Sequence, residues 1–436
     1  MAGLYLLMDY RQVLDYMYTR LPMFSRVGGK AVKSGLDNIL ALCDVLGNPH
    51  EKMSFVHVAG TNGKGSVSHM LAAVLQSAGY NTGLYTSPHL KDFRERIKIN
   101  GQMISESEVV GFIEKMRPHI EEIEPSFFEI TVALAFDHFS RNKTGIAVIE
   151  TGLGGRLDST NIINPVLSVI TNIGYDHVQI LGNTLEEIAA EKAGIIKKAV
   201  PVVIGERDET TAPVFQDKAR VEAAPIFFAG DDLQVADWQQ EDSGLLIYVA
   251  EGQKADHRKY KLDLAGRYQT KNLLTVLESC RRLKAAGWIL PEAAIESGLK
   301  QVKKLTGLHG RWEIVSRHPR IILDVAHNES GMRALLDQLE ISSYRRLHIV
   351  LGMVKDKDVD TVVKMLPAYA VYYFANAHIP RAMPADELKQ KAALYNLQGH
   401  VFGTVNEALD EAKAHAHTDD LILVCGSVFL VGEVIV

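Results

Sequence analysis

Hydrophobic positions along the chain change period several times, and each change marks an element. Over residues 9–47 apolar residues recur at helical spacing, first Val13, Tyr16 and Met17, then Leu36, Ile39, Leu40, Leu42 and Leu46. Two helices are expected there, joined by the loop Ser25–Gly29. Ser54–Ala59 is a short apolar run that reads as a buried strand, followed by a glycine-rich turn and a helix over about 66–78. The alternation repeats downstream. Ile146–Glu150 and Val166–Thr171 read as buried strands, Thr184–Lys192 as a helix and Val200–Ile204 as another strand. Strands alternating with helices predict a parallel sheet covered on both faces.

Residues 225–265 break this rhythm. Short alternating runs such as Leu245–Val249 predict a small antiparallel addition, and Tyr268–Ala286 a further helix. The segment Leu305–Arg311 carries two glycines between a helical and an extended pattern, so a domain boundary is expected just before it. A second α/β series follows, with strands at Ile321–Asp324, His348–Leu351, Ala370–Phe374 and Leu421–Val424. The organisation expected is therefore residues 1–304 and residues 305–436.

Composition adds mainly exclusions. A net charge of −6 gives no basic excess that would suit a nucleic-acid partner. No apolar run approaches the ~20 residues of a membrane-spanning helix. The first ten residues are apolar but lack a basic leader, and Asp9 and Arg11 interrupt them. Cys43, Cys280 and Cys425 lie far apart and match no metal-ligand spacing. A cytoplasmic enzyme, without nucleic-acid or membrane partners, is the expectation.

The sharpest chemical signal is His57 through Ser66, with Gly60, Thr61, Asn62, Gly63, Lys64, Gly65 and Ser66 joining a strand to a helix. Glycines let backbone N–H groups approach phosphate oxygens, and the helix N-terminus adds positive potential. Lys64 can bridge phosphates and Ser66 can bind phosphate or metal. The spacing departs from the common G-x-x-x-x-G-K-[ST] form, because Gly65 separates Lys64 from Ser66 and Val58 stands where the first glycine would be. Glu150 ends a buried strand, a costly place for a carboxylate unless it is paired or binds a hard cation such as magnesium.

The run GTNGKGS resembles the nucleotide loop of the folylpolyglutamate synthase/dihydrofolate synthase family. TSPH at 86–89, GGRLDSTN at 154–161, the Asp176-His177 pair, EKAG at 191–194, HGRWE at 309–313 and DVAHN at 324–328 follow in the family's order over nearly the whole chain. The resemblance implies a P-loop parallel-sheet ATPase domain followed by a smaller Rossmann-like α/β domain. It also implies an ATP-dependent ligase that joins L-glutamate to a reduced folate or dihydropteroate through an acyl phosphate. One or two magnesium ions would be held by Ser66, Ser87, Glu150 and His177, and Lys192 would be carbamylated. Without the resemblance, Ser87 is a plain loop residue, His177 a structural histidine and Lys192 a surface lysine paired with Glu191 or a neighbouring acid.

The resemblance further places Phe128 and Thr131 in the wall of a folate pocket, Arg156 beside the site and Asp158 near the pterin ring. Asn272 is expected near adenine. Arg311, Asp324 and His327 would grip phosphate, ribose and base from across the cleft, with Lys355 as another cleft-facing cation. Lys64, His177, Lys192 and Arg311 are the expected catalytic group. Related muramyl-peptide ligases carry a similar loop but usually a nucleotide-sugar-binding domain before it, whereas most of the 59 residues preceding Gly60 are expected in the first helices. A non-catalytic nucleotide switch is the other alternative, disfavoured by the density of metal-type positions after the loop. A monomer is expected.

Overall fold

The computed structural model describes residues 8–23, 35–252 and 257–435, so the expected loop Ser25–Gly29 lies outside the described residues. The buried runs read from the sequence form most of an eight-stranded sheet. Its strands are β1 (Ser54–Ala59), β2 (Thr82–Tyr85), β3 (Ile97–Ile99), β4 (Gln102–Met103), β5 (Ile146–Glu150), β6 (Leu167–Ile170), β7 (Val202–Ile204) and β8 (Ile226–Phe228). Their order is β4-β3-β2-β5-β1-β6-β7-β8. All pairs from β2 to β8 are parallel, and only the pairings of β3 with β2 and with β4, at one edge, are antiparallel.

Both faces are covered, which explains why the central strands are apolar throughout. Val56, Val58, Val148 and Val169 pack against the helices Lys64–Ser77 and Gln269–Ala285. Phe55, Ala147 and Ile149 face the other way, toward the helix Phe127–Arg141. The chain leaves β1 toward β2 on one side, whereas β6, β7 and β8 extend the sheet on the other. Connections therefore diverge at the C-terminal end of β1, where open parallel sheets leave a crevice for ligands.

A three-stranded antiparallel sheet of β9 (Leu233–Glu241), β10 (Gly244–Glu251) and β11 (Arg258–Leu262) packs Leu245, Ile247 and Val249 onto the same core. The third sheet contains β12 (Glu313–Arg317), β13 (Arg320–Leu323), β14 (Leu347–Leu351), β15 (Val371–Phe374), β16 (Gly399–Val401) and β17 (Leu421–Cys425), ordered β12-β13-β17-β14-β15-β16. It is parallel except for β12 at its edge.

Between the sheets, the helix Val302–Thr306 ends at Gly307 in the left-handed region. Lys98 Nζ donates to Thr306 O at 2.7 Å, and His69 Nδ1 lies 2.7 Å from the Thr306 hydroxyl. The chain is thus clamped to the first sheet's side up to Thr306. We propose the division into residues 1–304 and 305–436, a boundary within two residues of the point where this clamp ends. Ala265 and Tyr268 nonetheless pack with Trp312 in the core of the third sheet, so the two halves interlock behind the cleft.

Candidate active site

The glycine-rich turn follows β1 directly. Gly60 has φ +148 and Gly63 φ +84, values that L side chains rarely adopt. Space is also closed there. A Cβ on Gly60 would lie 1.9 Å from Thr171 Oγ1, and one on Gly63 would lie 2.5 Å from Asn272 Oδ1. The segment after β6 braces the turn: Asn62 N donates to Asn172 Oδ1 at 2.8 Å, and the Thr171 hydroxyl to Asn62 O at 2.5 Å. Lys64 folds back to donate to Gly60 O and Thr61 O at 3.0 and 3.1 Å. Ser66 is buried, and its Oγ accepts from Gln269 Nε2 at 3.1 Å.

Three further charges converge on this turn. Glu150 ends β5 beside β1, and Ser87 N donates to its Oε2 at 3.1 Å. Burial pushes the Glu150 carboxyl up, against the opposing pull of Lys64, the Ser87 amide and Arg311. A Cβ on Gly65 would sit 3.6 Å from Arg311 Nη2 and 3.8–3.9 Å from the Glu150 oxygens, so the arginine of the third sheet's side meets the phosphate turn. Lys192 is buried, and its Nζ donates to Gly60 O at 2.8 Å. Burial, then the Lys64 charge, brings the Lys192 amine down to about 7. Glu191 is engaged instead by Arg156 at 2.9 Å, so the surface pairing that Lys192 would have in isolation is absent.

A polar clasp crosses the cleft on the other side of the turn. Asp176 accepts from Lys357 Nζ and, at 3.0 Å, from Asn328 Nδ2, with His327 Nε2 at 3.4 Å. Burial alone would raise the Asp176 carboxyl, but His327, Lys357 and His177 outweigh it and hold it below the ordinary carboxylate range. His177 Nε2 lies 3.0 Å from Lys357 Nζ. Burial and the Lys357 ammonium bring this imidazole down to about 3 and keep it neutral, the state a metal ligand requires. Asn62 exchanges amide hydrogen bonds with Asn328 at 3.1 Å and donates to Ser330 Oγ at 2.7 Å.

Several expectations change with these placements. Lys355 is exposed; Lys357, two residues on, is the cation whose side chain reaches Asp176. Thr131 has no exposed surface and its hydroxyl donates to Phe127 O at 2.7 Å, so it packs beneath the pocket wall and offers a ligand nothing. Phe128 packs on Gly152, where a Cβ would come 2.5 Å from its ring, and its ring centroid lies 6.2 Å from that of Tyr85. Both Asp158 oxygens are engaged, by Leu153 N at 2.8 Å and by Thr160 N and hydroxyl at 3.0 and 2.5 Å. Asp324 is similarly committed, to Tyr268 OH, Trp312 N and Ala326 N at 2.8, 2.8 and 2.9 Å.

Asn272 lies against the phosphate turn, not on an open helix surface. His327 Nδ1 faces Val325 O at 2.9 Å, which leaves Nε2 toward Asp176. Asp176, Lys357, Asn328, Gln269 and Tyr268 join the site without a signal of their own in the sequence. Asp176 and Asn328 adjoin His177 and His327, Lys357 lies two residues past Lys355, and Tyr268 and Gln269 stand within four residues of Asn272.

Among the described residues, no three His, Cys, Asp or Glu side chains gather at metal-holding distance. Ser66, Ser87, Glu150 and His177 supply hydroxyls, one carboxylate and one neutral imidazole. Glu150 and His177 both feel the Lys64 charge. That donor set suits a magnesium ion that keeps waters and binds phosphate oxygens, as magnesium usually does.

Residues 58–280 match the family model described as the Mur ligase middle domain, and residues 310–428 the Mur ligase, glutamate ligase domain. The chain is 34% identical over 420 residues to the dihydrofolate synthase/folylpolyglutamate synthase of Bacillus subtilis, covering 92% of this chain and 94% of that one. It is 31% identical over 418 residues to its Escherichia coli counterpart, covering 95% and 93%. Among solved structures, E. coli FolC in complex with DHPP and ADP superposes with a TM-score of 0.84 at 30% identity, covering 98% and 96%. The folylpolyglutamate synthase of Thermotoga maritima gives 0.80 at 34%, covering 97% and 95%.

Proposed function

The chain belongs to the folylpolyglutamate synthase/dihydrofolate synthase family of Mur ligases, and on that footing we propose how its own residues perform the reaction. It is an ATP-dependent ligase that adds L-glutamate to a folate carboxylate. The observation that carries the site assignment is the convergence of Lys64, Glu150, Lys192 and Arg311 on the turn Gly60–Ser66.

ATP binds with its phosphates against the backbone N–H groups of the turn and the N-terminus of the helix Lys64–Ser77. Lys64 leaves the Gly60 and Thr61 carbonyls to follow the transferring phosphate. A folate carboxylate oxygen attacks the γ-phosphorus, ADP departs and an acyl phosphate forms. The amine of glutamate then adds to the acyl carbon, and the tetrahedral adduct loses a proton and expels phosphate to leave the amide. Arg311 and Lys64 stabilise the charge that develops on the phosphoryl oxygens. Closure of the cleft by the half that bears Arg311 excludes water from the acyl phosphate.

Magnesium, held by Ser66, Ser87, Glu150 and His177, would neutralise phosphate charge. Lys192 is poised for carbamylation: a buried amine brought down to about 7 is substantially neutral at physiological pH and can add carbon dioxide, releasing one proton. The product anion would face the metal or the phosphates. Phe128 and Gly152 form the wall against which the pteridine would lie, backed by the buried Tyr85, with Arg156 at its rim.

The test is turnover by the purified protein with dihydropteroate and, separately, with tetrahydrofolate. ADP release should require the pteridine substrate and glutamate together, and mass spectrometry should show a product heavier by one glutamyl residue. ATP turnover independent of both would refute the reading.

A further inference from the structure

β1 carries a histidine that the phosphate chemistry does not use. His57 lies three residues before Gly60 and has no exposed surface. Its Nε2 is 2.8 Å from the hydroxyl of Thr160, 103 positions along the chain. That hydroxyl donates its one proton to Asp158 Oδ1 at 2.5 Å. His57 Nε2 must therefore carry a proton and donate it to Thr160 Oγ1, which fixes the imidazole tautomer. Burial, helped by the Lys197 ammonium, brings the ring down to about 3 and keeps it neutral. Nδ1 is then a bare acceptor, buried and without a hydrogen-bond partner among the described residues. An orphaned nitrogen makes this histidine a costly core filler, because an apolar side chain in its place would bury no such group.

The other end of this relay shapes a pocket wall. Asp158 Oδ1 also accepts from Thr160 N at 3.0 Å and Oδ2 from Leu153 N at 2.8 Å, so one carboxylate ties the turn Ser159–Ile162 to the segment after β5. Leu153 follows Gly152, on which the Phe128 ring packs. The turn is strapped from its other side: Lys197 Nζ donates to Asn161 O at 2.8 Å, and Asn161 Nδ2 to Arg156 O and Gly194 O, both at 3.1 Å. The Thr160 backbone is thereby held, but a hydroxyl proton can still rotate. An N–H donor behind the oxygen leaves Asp158 as the target of that proton. Three donors leave an ionised carboxylate room for a fourth, and Asp158 stays 6% exposed, so the direction in which it is held is a binding property of the pocket.

We propose that His57 is a positioning residue for the pteridine substrate: through Thr160 it orients the Asp158 carboxylate and, with it, the Gly152–Leu153 segment on which Phe128 packs. Having no exposed surface, it acts only through these neighbours. The proposal deepens the ligase reading above and rests on it. β1 also delivers the phosphate turn, so a general disturbance of the strand would be felt by ATP. Loss of the relay alone would be felt by the pteridine.

The experiment compares His57→Met, which removes the donor, with His57→Gln, whose amide N–H can stand where Nε2–H stood. Steady-state kinetics are run with whichever of dihydropteroate and tetrahydrofolate the wild type uses, and ADP binding is followed by calorimetry. His57→Met should raise KM for the pteridine about fivefold, the scale of one hydrogen bond, with kcat, KM for ATP and ADP affinity each within about twofold of wild type. His57→Gln should return the pteridine KM to within about twofold of wild type. Thr160→Val should reproduce the rise, and it serves as the readout if His57→Met folds poorly. A pteridine KM within about twofold of wild type in both His57→Met and Thr160→Val, an equal rise for ATP, or a His57→Gln enzyme no better than His57→Met overturns the proposal. If the wild type itself shows no pteridine- and glutamate-dependent turnover, the ligase reading fails instead.

Discussion

Replacing Lys192 by methionine should make the protein inactive and, at low pH, more stable. The Lys192 amine is brought from 10.5 to about 7 by burial and by the Lys64 charge. At 1.36 kcal/mol per pH unit, holding it as ammonium costs the fold about 5 kcal/mol. The unfolded chain keeps its proton up to about pH 10.5, the folded one only to about 7. Between those values unfolding takes up a proton, so wild-type stability rises with pH across that window. At pH 6 the cost is nearly complete; at pH 9 about 2 kcal/mol remains.

Methionine removes that cost and has an unbranched chain that fills irregular space. It also deletes a donor to Gly60 O, a loss of about 1–2 kcal/mol that the remaining Lys64 bond at 3.0 Å limits. The variant should therefore exceed wild type by about 3 kcal/mol at pH 6 and come within about 1 kcal/mol at pH 9. Urea unfolding at pH 6, 7.5 and 9 in degassed buffer, with m-values compared, reads this difference. Added bicarbonate should then stabilise wild type and leave the variant unchanged, because only a lysine can form the carbamate. A variant less stable than wild type at pH 6, or a difference that does not move with pH, would refute the reasoning.

Lys64→Ala should lower turnover by about 10²–10³, the scale for losing one charge-stabilising donor, with little change in melting temperature; near-wild-type turnover at saturating ATP would remove Lys64 from the mechanism. Gly60→Ala drives a Cβ to 1.9 Å from Thr171 Oγ1, and calorimetry should show ADP binding abolished; unchanged affinity would mean that the turn relaxes freely. Lys357→Met strands the buried Asp176 carboxylate and should cost about 3 kcal/mol at pH 7. Because Asp176 is held below the ordinary carboxylate range, its ion pair contributes above the unfolded value near 3.8 and the difference should shrink as pH falls below it; a pH-independent difference would point to packing alone.

Much of the architecture was legible because its signals are local. Ser54–Ala59 and Ile146–Glu150 have the bounds expected of them, since a strand buried on both faces must be apolar throughout. The helices around residues 64–77 and 269–285 differ from expectation only at their ends. The strands missed, β3, β4, β8, β12 and β16, are two to five residues long and sit at or next to sheet edges. So little chain carries no usable alternation, and edge strands are set by partners far away in sequence.

The sequence by itself determined the chemistry of the phosphate turn. Left-handed backbone at Gly60 and Gly63, a lysine and a serine entering a helix are constraints between adjacent residues, and adjacent residues are what a sequence displays. Only the tertiary structure decided which carboxylates remain available. Glu150, Asp158 and Asp324 all lie at or beyond buried strands, yet Asp158 and Asp324 each already accept three hydrogen bonds from N–H and hydroxyl donors while Glu150 faces Lys64 and Arg311. It also decided between Lys355 and Lys357, two residues apart in a loop without periodicity, because Asp176 reaches only the second. Whether a polar group is satisfied depends on donors brought in by chain crossovers, and 181 positions separate Lys357 from its carboxylate.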